Sequence, residues 1–193
     1  MNTRYVKPLT ILLLFSVILL TTLYIREKVK QPASASWKET LKSELPILGH
    51  RNWILIVDKA YPSQSANGIT TINTNEDLLS VLNFTLEQLK SCSHVKPVVF
   101  TDKELNYITK NQVPDIESYR TNLYKSIGNL HPHVLLHDSV FVKIDKASKL
   151  FNVIILKTNQ VIPYSSVFIQ LNCKYWSDEK EIQLRKAMQN PMQ

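Results

Sequence analysis

Leu48 to Pro62, LGHRNWILIVDKAYP, is the stretch that decides the fold. Its centre, Trp53-Ile54-Leu55-Ile56-Val57, is an unbroken apolar run closed by polar residues and a proline. Such a run reads as a buried strand. His50 precedes the run and Asp58 follows it. On an extended strand these two lie roughly 25 Å apart, so they share a site only if the chain bends at Gly49 or if two subunits meet. The polar loop from Lys59 to Gly68 follows the strand's carboxyl end, where open α/β sheets carry ligand contacts.

Working outward, strand and helix signals alternate. Ser36-Trp37-Lys38-Glu39 is a capping box, with Trp37, Leu41 and Leu45 on one helical stripe that ends at Pro46. Ile69–Ile72 reads as a short strand, and Leu78, Leu82, Leu86 and Leu89 repeat at helical spacing to about Cys92. The next strand is placed at 97–101. Pro114 then opens a helix with Ile116, Tyr119, Leu123 and Ile127 on one face, stopped by Gly128. A brief strand at 134–136, a helix at 138–149, strands at 152–157 and 166–171, and a helix from Ser177 to about Met188 complete the body. This alternation predicts an α/β fold with a mixed, mostly parallel sheet.

The first 30 residues differ in kind. Pro8 to Tyr24 is apolar and uncharged, with Arg4 and Lys7 before it and Arg26, Lys28 and Lys30 after it. The pattern is that of an uncleaved signal anchor over residues 1–30, spanning the membrane through 8–24. A linker at 31–35 then leads to a body at 36–193. Arg4 and Lys7 favour a body outside the cell membrane, while the second basic cluster pulls the other way. The net charge of +7 divides into +4 on residues 1–30 and +3 on the rest. No basic face interleaved with aromatics emerges, so nucleic acid is not an expected partner. With 3 glycines and neither GxGxxG nor GxxxxGK[ST], the common nucleotide-binding loops are missing. Cys92 and Cys173, widely separated, read as free thiols.

Four further places carry groups able to do chemistry. His50 is a proton donor or acceptor, or a surface histidine. Asp58 is a ligand-binding carboxylate, or the first residue of a turn. His131, His133 and His137 form HPHxxxH, a spacing compatible with a metal but lacking matched acidic or thiol ligands beyond Asp138. Pro163-Tyr164-Ser165-Ser166, between two apolar strands, forms a turn that aims a phenol and two hydroxyls at a ligand, or a purely structural one. Thr101-Asp102-Lys103-Glu104 reads as the solvated start of a helix.

Two blocks together resemble the D-ribose pyranase and L-fucose mutarotase family. LGHRNWILIVDKAYP keeps the family's Gly-His, the Asp eight positions on and the Pro four beyond it. NVIILKTNQVIPYSSVFIQLNCKYW looks like its closing strand, Pro-Tyr turn and last strand. HVKPVVFTDKEL resembles the central strand more weakly, and the likeness covers about residues 36–176. It implies a three-layer α/β/α subunit in a ring-shaped homo-oligomer, with a site for a free monosaccharide at the subunit interface. The activity implied is a metal-free, cofactor-free interconversion of cyclic sugar forms. By position, His50 would be the catalytic proton donor, with Asp58, His137, Tyr164 and Ser166 in the sugar site. Ser166 stands where the family's Tyr-x-Asn pattern has its carboxamide. That departure and the anchor favour a second reading, a membrane-tethered sugar-binding or accessory protein without turnover. A histidine-ligated metalloprotein is the third.

Overall fold

The computed structural model describes residues 36–189. The chain divides into two compact units, Met1–Lys38 and Glu39–Gln193. Of the first, only residues 36–38 are described. The expected anchor at 8–24 and linker at 31–35 lie outside the described residues, among which no helix is long and apolar enough to cross a membrane.

Helix α1 (Trp37–Glu44) runs into a 3-10 turn at Leu45–Ile47 that carries Pro46 in its first turn. Strands β1 (Trp53–Val57) and β2 (Ile69–Asn73), helix α2 (Leu78–Ser91) and strand β3 (Val95–Asp102) follow. After a 3-10 turn at Lys103–Tyr107 come α3 (Ile116–Ile127), β4 (His133–Leu135) and α4 (His137–Ser148). Strands β5 (Val153–Lys157) and β6 (Val167–Cys173) and helix α5 (Asp178–Gln189) close the chain. Asp77 caps α2 by accepting from the Ser80 N–H at 2.9 Å.

The six strands form one sheet in the order β2-β5-β1-β6-β3-β4. Strand β5 runs parallel to β1 and β2, and β3 runs parallel to β4. Only β6 is reversed, antiparallel to β1 on one side and β3 on the other. The sheet is therefore mixed and mostly parallel, as the alternation of elements predicts. Its register is decisive for function: Val167, the first residue of β6, lies opposite Ile56 near the end of β1 and Thr101 near the end of β3. The carboxyl ends of the five parallel strands and the entry to β6 thus share one edge.

All five residues of β1 are buried, which a strand achieves only with both faces covered. Trp53, Leu55 and Val57 pack with Val153, Ile155 and Phe168 of the sheet and with Val140, Ile144 and Ala147 of α4. Ile54 and Ile56 point to the other side by the alternation of a strand, and α2 lies against β1 and β3. Helix α3 packs against α2 and buries Ile116, Tyr119, Leu123 and Ile127, the stripe read from its sequence. Each such aliphatic side chain contributes about 1.5–3 kcal/mol on full burial.

Two expectations change. Strand β3 begins at Val95 and so contains Pro97 instead of starting there. It reaches β4 only from Phe100 onward, so at Pro97 one side of the strand is an open edge, where a missing N–H is tolerated. The bend considered at Gly49 needs no glycine, because a Cβ there would meet nothing nearer than Asn52 Oδ1 at 3.9 Å. The left-handed residue of this turn comes two positions later, at Arg51, which takes a φ of 74° while the Asn52 side chain accepts from the Gly49 N–H at 2.7 Å.

Candidate functional site

Asp58 is the first residue beyond β1. Its Oδ1 accepts from the Ala60 N–H at 2.8 Å, an Asx turn that lifts the chain off the sheet. Its Oδ2 accepts from the Ser166 hydroxyl at 3.0 Å, and Ser166 Oγ accepts in return from the Asp58 N–H at 3.2 Å. Ser166 is 1% exposed. Its hydroxyl therefore supports the carboxylate from beneath and does not face solvent.

Tyr164 sits two residues earlier, on a turn held at several points. Ser165 Oγ donates to the Ile162 carbonyl at 2.6 Å, and the buried Tyr119 hydroxyl donates to the Ser165 carbonyl at 2.9 Å. Burial pushes the Tyr119 phenol well above its ordinary range, so it stays a donor. Within this frame Tyr164 adopts a left-handed φ of 56°, uncommon for a bulky residue, and the residue stays 39% exposed.

Tyr164 and His137 meet in an edge-to-face contact, with centroids 5.2 Å apart and planes at 89°. His137 opens α4, and both carboxylate oxygens of Glu104 lie 3.1 Å from its backbone N–H. Glu104 thus satisfies one of the orphan donors at the start of the helix. His137 Nδ1 lies 2.8 Å from Asp102 Oδ2. Phe141, one turn on, packs on the imidazole at 4.7 Å and stacks on Tyr61 at 5.4 Å. Burial pushes the Tyr61 phenol above its usual range, and Lys157 Nζ donates to its backbone carbonyl at 2.8 Å.

Asp102 is fully buried at the end of β3, and its Oδ1 has no hydrogen-bond partner. Burial pushes its carboxyl up to about 6; the His137 ring pulls it down, and the charges of Glu104 and Asp58 push it further up. Thr101-Asp102-Lys103-Glu104 is therefore not a solvated helix start. Asp102 and Glu104 both engage His137, and no local feature of TDKE distinguishes them from the residues of a solvated turn.

The structure thus brings Asp58, Tyr164, Ser166 and His137 to one sheet edge, joined there by Asp102 and Glu104. His50 is not among them. It is exposed in the turn before β1, at the opposite end of the strand from Asp58. The three histidines of HPHxxxH diverge as well: His131 takes a left-handed turn conformation, and His133 stacks on Phe100 at 5.1 Å. Among the described residues no group of three histidine, cysteine or acidic side chains is placed to hold a metal ion. A cleft of about 620 Å³ opens near the start of β3, beside Val95, Pro97 and Leu130. It carries Lys90, Lys96 and Lys174 but no imidazole, so the acid–base groups are concentrated at the other end of the sheet.

No family model matches the chain, and no curated protein does. Among solved structures it is similar to Bacillus subtilis RbsD complexed with D-ribose, at 17% identity over 72% of this chain and 96% of that one, with a TM-score of 0.49. It is similar to FucU from Bifidobacterium longum, at 14% identity over 68% and 91% of the two chains and a TM-score of 0.46. It is also similar to a fucose mutarotase in complex with L-fucose from Streptococcus pneumoniae, at 19% identity over 66% and 87% and a TM-score of 0.46. These are proteins of the kind that the sequence resembles.

Proposed function

We propose that this chain is a mutarotase-like isomerase that interconverts cyclic forms of a free monosaccharide by acid–base catalysis, with no cofactor. The observation that carries this reading is the convergence of a carboxylate, an imidazole and a phenol at one sheet edge. Asp58 is held from below by Ser166, and His137 meets the half-exposed Tyr164 edge to face. A monosaccharide presents several hydroxyls, each both donor and acceptor. A fixed carboxylate accepts from them, and a phenol does either. The aromatic surface of Phe141 and Tyr164 suits the apolar C–H face of a sugar ring.

Ring opening moves two protons. The ring oxygen gains one as its bond to the anomeric carbon breaks, and the anomeric hydroxyl loses one as the carbonyl forms. After rotation about the adjacent C–C bond the ring recloses with the proton moves reversed. His50 acts as the proton donor, supplied by a neighbouring copy, since one chain keeps it far from Asp58. Each positioned acid or base contributes about 10²–10⁴-fold. The full reading is a three-layer α/β/α body, homo-oligomeric with the site at the subunit interface. It is tethered to the cell membrane through residues 8–24 and faces outward.

The test is exchange NMR on the full chain with a panel of free sugars. At least one sugar exchanges its anomers faster with protein present, and His50→Ala abolishes the acceleration. No acceleration for any sugar, or an unaffected His50→Ala variant, contradicts the reading. A second reading, sugar binding without turnover, is favoured by Ser166, a buried hydroxyl where the motif it resembles has a carboxamide. Saturation transfer to a sugar whose anomers do not exchange supports that alternative.

A further inference from the structure

We infer that Asp102 is the positioning residue of His137: it fixes the proton on Nδ1 and leaves the Nε2 lone pair as the base that takes the proton of the anomeric hydroxyl. The inference rests on reading this edge as a monosaccharide site and adds to it the second of the two proton-transfer groups.

The geometry is specific. Asp102 has no solvent exposure, and one oxygen lies 2.8 Å from Nδ1. The imidazole is 32% exposed, so the ring bridges a closed interior and an open surface. Nδ1 is engaged on the closed side. Nε2 has no protein partner among the described residues. An ionised carboxylate only accepts, so a neutral imidazole facing it must carry its proton on Nδ1. Glu104 fixes the backbone of the same residue, and Phe141 and Tyr164 bracket the ring. The carboxylates of Glu104 and Asp58 act on Asp102, Tyr61 and Tyr164 lie nearby, and the cations at this edge are Lys103, next to Asp102 in the chain, and Lys157, whose Nζ donates to the Tyr61 carbonyl. The imidazolium formed by proton uptake at Nε2 faces the Asp102 carboxylate directly, which stabilises it. The proton returns to the sugar oxygen on reclosure, and no other reactant is needed. A buried acid that sets the tautomer and steadies the imidazolium is a recurring device of acid–base catalysis.

Placing two aspartates of different exposure in one site has a structural logic. Asp58 is partly exposed and available to hydroxyls. Asp102 is enclosed, its second oxygen unpartnered, and reaches the surface only through the imidazole.

The test reads the nitrogen shifts of the five histidines in the full chain at about pH 9, well above the ordinary imidazole range, with His137→Gln used to assign the signal. In the intact protein His137 is the Nδ1–H tautomer. Asp102→Ala shifts the ratio at least fivefold towards Nε2–H, with the other four imidazole signals in place as a control for folding. For the sugar that exchanges, Asp102→Ala lowers kcat about a hundredfold with KM within about threefold. An unchanged tautomer ratio in a folded Asp102→Ala protein overturns the inference, and Asp102→Asn is read in the same way if the alanine variant does not fold. The tautomer is measured without sugar. A shifted tautomer in a protein that exchanges no sugar therefore upholds the positioning role while the site's proposed activity fails.

Discussion

A carboxyl group enclosed by protein keeps its proton to higher pH than one in water, and this makes Asp102 a residue whose influence on stability is measurable. Its value in the folded chain is about 6, against 3.8 for an unperturbed aspartate, with burial as the main cause. Between about pH 4 and about 6 the folded protein retains a proton that the unfolded chain has released, so stability falls as pH rises through this window. The loss is on the order of 3 kcal/mol. Urea unfolding at pH 4, 5, 6 and 7 checks it: Asp102→Asn flattens the slope relative to the intact chain, and equal slopes contradict the assignment. Ser166→Ala is a second residue-scale prediction. It removes both hydrogen bonds between Ser166 and Asp58 and lowers stability by about 1–3 kcal/mol, read from the urea midpoint. At this scale the sequence made part of the site legible. Asp58 and Tyr164 announced themselves through apolar strands beside them, and His137 through its motif. Asp102 did not, because TDKE has the polarity of a solvated turn and nothing local reveals that β4 and α4 enclose it.

At the scale of elements, the apolar periodicities held well because each one is a packing requirement. The stripe of α3 is the set of residues that α3 buries, and the run 53–57 is β1 to the residue. Pro97 misled the boundary of β3, since the tolerance of a proline depends on whether a neighbouring strand is present, which is a property of the sheet. Gly68 marks another tertiary constraint. A Cβ there would lie 3.0 Å from the Ser148 carbonyl oxygen, at the end of α4, and 3.1 Å from that of Phe151, just beyond it. Gly68→Ala is therefore expected to destabilise the fold by about 1–3 kcal/mol, seen as a lowered Tm. Gly49→Ala, with nothing nearer than 3.9 Å, leaves Tm within a degree or two.

For the whole molecule, the alternation of strand and helix was enough to name a mixed, mostly parallel α/β sheet. The position of β6 between β1 and β3 was not legible, because strand order is set by long-range pairing. That placement brings Ser166 under Asp58 and Tyr164 against His137, so the fold's least legible feature is the one that builds the site. It also leaves His50 at the far end of β1. If His50 serves the site of a neighbouring copy, two inactive proteins complement each other. Mixing dissociated His50→Ala and Asp58→Asn chains and reassembling them restores roughly a quarter of the anomer-exchange rate by random pairing. Absence of any recovery indicates that both residues must come from one chain.

The most direct measurement is a crystal structure with a monosaccharide found to bind in the NMR panel. The account predicts the sugar at the carboxyl edge of the sheet, with hydroxyls on Asp58 and Tyr164 and one oxygen facing Nε2 of His137. A sugar lodged elsewhere, such as the lysine-lined cleft near the start of β3, contradicts it.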